Sequence, residues 1–182
     1  MLKEQIREIK FQFFTFRNGL IGERLRESGD PHKIIFGLNL PQITDIAKGC
    51  EHTPQLAQAM WDNQSTRESK IIATMLYPAE QFSQATAQQW IAEIPTYEIA
   101  DILCHKLLRN TQYAEELIYK YSSESSTMME RYLALRLALN LLTIGKLTNT
   151  KKLATIAETE LTLNLSPTIM VSQRILSEIA EQ

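Results

Sequence analysis

Little in this 182-residue chain is of the kind that staples, kinks or spans. Two cysteines, Cys50 and Cys104, are too few for a dense disulfide framework. They are expected to be reduced thiols in a cytosolic protein. Glycine and proline number six each and fall between periodic segments rather than inside them. No apolar run reaches membrane-spanning length; the longest candidate, 133–144, is interrupted by Arg136 and Asn140. No membrane partner is therefore expected. The first ten residues are charged throughout and lack an apolar signal core, so the expected location is the cytoplasm. An excess of either charge is also missing, with 19 basic against 21 acidic side chains and a formal net charge of -2. That balance argues against a protein that grips phosphates with its whole surface; any nucleic acid must meet a local patch. The hydrophobic fraction of 44% is ordinary for a globular chain and argues against disorder. The length suits a single domain, 1–182.

What is present is helix-type spacing, without convincing strand alternation. Apolar periodicity predicts helices over 2–17 (Ile6, Ile9, Phe13, Phe16 on one side) and 20–27. Another runs through Ile43, Ile46 and Ala47 and stops near Gly49. Thr53-Pro54 starts the next, with a hydroxyl cap followed by proline at the first helical position. A helix after Ser65 carries Ile71, Ile72, Met75 and Leu76 and ends at Pro78. Further helices are expected over 86–94, 96–109, 112–121, 127–144, 150–163 and 166–180, the last from a second hydroxyl-proline start, Ser166-Pro167. Short polar links between such helices imply antiparallel pairs. The expected fold is all-α, a HEAT-like α-α superhelix of stacked antiparallel pairs, with a plain bundle as the structural alternative.

Three helices carry polar stripes. Tyr97, Asp101, His105 and Arg109 recur every fourth residue and share one face. Tyr132, Arg136, Asn140 and Thr143 form a second stripe amid leucines and alanines; Arg67, Lys70 and Thr74 form a shorter third. Any amphipathic helix has a polar face, so a stripe by itself is ordinary solvated surface. Arg136 differs. An arginine set between Leu133-Ala134-Leu135 and Leu137-Ala138-Leu139 is costly to bury unpaired and needs water or a carboxylate, for which Asp101 is the natural candidate. Other chemistry is poorly supported. Cys50-Glu51-His52 and Cys104-His105 lack zinc-ligand spacing. There is neither a phosphate-cradling glycine loop nor a nucleophile elbow. No metal and no cofactor are expected. Trp61 and Trp90 read as core.

Three segments in order resemble the AlkD-type DNA alkylation repair family, the HEAT-like-repeat DNA glycosylases and their relatives. They are Phe36-Gly37-Leu38-Asn39-Leu40-Pro41 leading into a helix, then Met60-Trp61-Asp62 with Arg67-Glu68, then Trp90-Ile91-Ala92-Glu93-Ile94 with Tyr97 and Asp101. The resemblance spans roughly residues 30–142. It implies excision of cationic alkylated purines, with an aromatic and an aspartate one turn apart facing the deoxyribose and an arginine on a later helix holding the backbone. Tyr97 and Asp101 match the first two, with tyrosine where active members have tryptophan. Arg136 matches the third, and Arg131 takes its place if the register slips. Arg67, Lys70, His105, Arg109 and Arg131 are the expected DNA contacts. Residues 150–182 contain no tryptophan, so the sequence reads as a shortened member. Two readings stay open: a protein binding duplex DNA, alkylated or not, through a local basic groove, or a non-catalytic repeat scaffold for a protein or peptide.

Overall fold

The computed structural model describes residues 1–181. Among them are eleven α-helices, two short 3-10 turns and no strand; an isolated parallel bridge joins Ile34 to Thr66. No helix is long and apolar enough to cross a membrane. Contacts gather into two compact units, Met1–Ser83 and a second that begins at Gln84.

The first unit holds α1 (Leu2–Thr15), α2 (Gly19–Glu27), α3 (Leu40–Lys48), α4 (Pro54–Trp61) and α5 (Arg67–Leu76). Local sequence sets their starts. The Asn39 side chain accepts from Gln42 N while the Gln42 side chain accepts from Asn39 N, a reciprocal cap. The Thr53 hydroxyl accepts from Leu56 N ahead of Pro54. Ile9, Phe13, Ile43, Leu56, Met60, Trp61, Ile71 and Leu76 fill the core. α5 is buried on nearly every side, Arg67, Glu68 and Lys70 included.

That burial explains the Phe36-Gly37 and Arg67-Glu68 segments. The Glu68 carboxylate, 0% exposed, accepts from Phe36 N at 3.1 Å and Gly37 N at 2.9 Å. Arg67 donates to the same carboxylate at 3.0 Å and to the Leu38 carbonyl at 3.1 Å. A buried ion pair thus satisfies the backbone of a turn that has no helix or sheet to do so. Gly37 sits there at φ +78°, and a Cβ would lie 2.2 Å from the Asn18 carbonyl oxygen.

The second unit holds α6 (Gln84–Ala92), α7 (Tyr97–Lys106), α8 (Ala114–Tyr121), α9 (Met128–Thr143), α10 (Thr150–Leu163) and α11 (Ser166–Ala180). α9 is its centre, packed by α7, α8, α10 and α11, and that ring of neighbours accounts for its leucine-alanine sequence. Thr127 and Glu130 cap it reciprocally. The expected 96–109 helix ends early. After Lys106 the chain tightens into a 3-10 turn, Leu108–Asn110. Ser166 is the first residue of α11 rather than its cap, a place taken by Leu165.

Candidate functional site

α7 and α9 lie side by side within the second unit, and their stripes meet. The Thr96 hydroxyl accepts from Ile99 N and so sets where α7 begins, which puts Tyr97 in its first turn and Asp101 one turn on. From α9, the Tyr132 hydroxyl donates to Asp101 Oδ1 at 2.9 Å. Arg136 Nε approaches the same oxygen at 2.7 Å, with both side chains about one-third exposed. The Nε–H is not aimed at a hydrogen-bond acceptor, so this contact is an ion pair by proximity. The Tyr97 and Tyr132 rings meet edge to face with centroids 4.6 Å apart. Burial first, and then the facing Asp101 carboxylate, push the Tyr132 phenol well above its ordinary pKa, which keeps it a donor.

The arginine expected to need a carboxylate therefore has one, and it is Asp101. Tyr97, Asp101 and Arg136 come together. Tyr132 joins them although it was only a member of the second stripe; its place one turn before Arg136 was the available signal. One turn beyond Asp101, His105 is exposed. Arg109, carried by the 3-10 turn, lies with Nη1 3.1 Å from His105 Nδ1. Because arginine only donates, Nδ1 accepts there and the imidazole is neutral. Partial burial, then Arg109 and Lys106, lower the His105 pKa, while a hydrogen bond with Asn140 pulls the other way.

Three expected DNA contacts are placed differently. Arg67 and Lys70 are 4% and 0% exposed. Arg67 holds the 36–38 turn, and the Lys70 ammonium lies 3.9 Å from the centre of a Trp61 ring. Helix spacing alone suggested surface, but α5 is enclosed, so neither cation reaches a phosphate. Arg131 is also occupied. Its Nε and Nη2 lie 2.8 and 2.7 Å from Glu160 Oε1, joining α9 to α10, and the pair is largely buried. Among the described residues, no group of three or more His, Cys, Asp or Glu side chains is placed to hold a metal ion. Cys104 is fully buried, and burial followed by Asp101 raises its thiol far above the ordinary value, so it offers no thiolate.

Beside Arg136 opens a groove of about 420 Å³, lined also by Tyr132, Leu139, Met170 and Arg174. Arg174 pairs with Glu178 one turn on. The whole assembly is a carboxylate flanked by two tyrosines and a guanidinium at the edge of solvent. Such a group stabilises positive charge on a partner and offers donors to an anion next to it.

Residues 18–164 match the family described as DNA alkylation repair enzyme. No curated protein matches the chain. A solved structure described as "A new family of proteins related to the HEAT-like repeat DNA glycosylases with affinity for branched DNA structures" has the same fold, with a TM-score of 0.80 at 14% identity. The match covers 96% of this chain and 75% of that one. The all-α, HEAT-like architecture expected from helix spacing is the one found.

Proposed function

The chain belongs to the DNA alkylation repair enzyme family, and on that footing we propose that it binds DNA through the α7–α9 face and releases cationic alkylated purines there. The observation that carries this reading is the meeting of Tyr97, Asp101 and Arg136 from two helices, with Asp101 still one-third exposed. A purine alkylated at ring N3 or N7 is positively charged, so it leaves without a strong acid. As the C1′–N bond breaks, the electron pair goes to the purine, which departs neutral, and the charge passes to the sugar. The Asp101 carboxylate stabilises that charge; water then adds at C1′ and gives its proton to solvent by way of the carboxylate. The two tyrosine rings favour positive charge beside them. Arg136 orients the carboxylate, and its remaining donors suit a backbone phosphate. His105 extends the same face by one turn, and Arg109 reaches it from the 3-10 turn beyond the helix.

The test is release of free base from methylated duplex DNA. Wild type is expected to release it, and Asp101→Asn to be slower by about 10²–10³-fold, the scale of losing one charge-stabilising group. Absence of release by wild type sinks the excision reading.

One observation favours a second reading, binding of branched DNA without bond cleavage. Arg136 already neutralises Asp101 at 2.7 Å, and the family of the similar solved structure is described as having affinity for branched DNA. Under this reading a four-way junction binds tighter than duplex, Asp101→Asn binds like wild type, and affinity falls steeply with salt.

A further inference from the structure

The buried side of α1 is formed by Ile9 and Phe13. Most of the remaining surface of α1 is exposed, and the strip beside the buried side has a pattern of its own. Lys3, Arg7, Lys10, Phe14 and, just past the helix end, Arg17 follow one another at steps of four, three, four and three residues. Those steps align them in one row along the helix. Phe11 lies beside the row, one turn after Arg7. The two rings are 63% and 53% exposed for Phe11 and Phe14, and all four cations are exposed. The Arg17 guanidinium lies 3.9 Å from the Phe14 ring centre and donates to the Phe14 carbonyl at 2.8 Å. Single exposed apolar residues are unremarkable, but two adjacent phenylalanines in water within a file of cations call for a partner.

We propose that this face of α1 is a second nucleic-acid contact, one that takes an unpaired strand. The cations follow the phosphates, while Phe11 and Phe14 stack on bases, the combination by which proteins hold single strands without reading sequence. The proposal rests on the DNA reading above and adds a surface separate in sequence from α7 and α9. From Lys3 to Arg17 the row measures about 21 Å at the α-helical rise, room for a few nucleotides. A second copy of the chain fits poorly, because a two-fold contact would set this row of cations against itself. A lipid surface fits less well too. The continuous apolar side of α1, with Ile9 and Phe13, is already spent on the core, and the exposed surface around the row also carries the anions Glu4 and Glu8, which an anionic bilayer would repel.

The test is fluorescence anisotropy of a short labelled oligothymidine, titrated with the full chain at several salt concentrations. Wild type is expected to bind with a negative salt slope. Phe11→Ala with Phe14→Ala should weaken binding roughly 10- to 100-fold. Arg7→Ala with Lys10→Ala should reduce the salt slope by about 1.4, two lost phosphate contacts on a single strand. All four side chains are exposed, so circular dichroism should show each variant folded as wild type is. Unchanged single-strand affinity and slope in both variants, with duplex binding still lost on Arg136→Ala, overturns this proposal and leaves the DNA reading standing. Wild type that binds neither strand nor duplex overturns both. Sedimentation with phosphatidylserine vesicles that both variants lose, without single-strand binding, overturns the proposal in favour of lipid.

Discussion

Consider Glu68→Ala. The substitution deletes a carboxylate that is 0% exposed and that accepts from two backbone amides, Phe36 and Gly37, as well as from Arg67. Each buried amide left without an acceptor costs about 1–3 kcal/mol. Removing the anion of a buried ion pair costs about 3–5 kcal/mol. The terms overlap, since one carboxylate serves all three donors, so the expected loss is about 3–5 kcal/mol rather than their sum. Against a stability of about 5–15 kcal/mol this is a large fraction, and in a chain of this length it lowers Tm by roughly 10 °C. Glu68→Gln keeps the shape and one acceptor oxygen but turns an amino group toward one of the donors, so it should lose about half as much. Urea unfolding followed by circular dichroism measures both, read as a change in midpoint at constant m. A loss below about 1 kcal/mol for the alanine variant would refute the argument. It would mean that water, not Glu68, satisfies the turn.

Gly37→Ala should be at least as damaging, because its φ of +78° disfavours any side chain and its Cβ would meet backbone at 2.2 Å; wild-type stability by urea unfolding would contradict this. Arg131→Ala strips the cation from Glu160, which is 3% exposed, and should cost about 3–5 kcal/mol; DNA affinity lost at unchanged Tm would instead return Arg131 to the surface. His105 is less basic in the fold than in the unfolded chain. Its neutral form is the one the fold favours, so its contribution is present above the unfolded value of about 6.5 and is lost as pH falls through the lower folded value. By NMR its titration midpoint should lie below 6.5 and rise in Arg109→Ala, since Arg109 is one cause of the lowering; no movement would discard that cause.

Most of the helices were legible because their signals are local. Thr53, Asn39, Thr96 and Thr127 act within three residues of where they stand, and apolar spacing depends only on helical pitch. The Arg136–Asp101 pair was legible for a different reason: a guanidinium in a leucine-rich helix demands a counter-charge, and few carboxylates on a matching stripe could supply it. The early end of α7 was not legible, and its 3-10 turn moved Arg109 off the regular stripe while leaving it in reach of His105.

By itself the sequence determined which segments are helical, where most begin, and that one arginine set among leucines needed an anion; all of these follow from residues a turn or two apart. Only the tertiary structure decided which polar stripes face water. Arg67, Lys70 and Arg131 have the same spacing on their helices as true surface cations, yet α5 is enclosed and Glu160 arrives from α10 to take Arg131. Exposure belongs to what packs around a helix, and a helix's own sequence does not contain its neighbours.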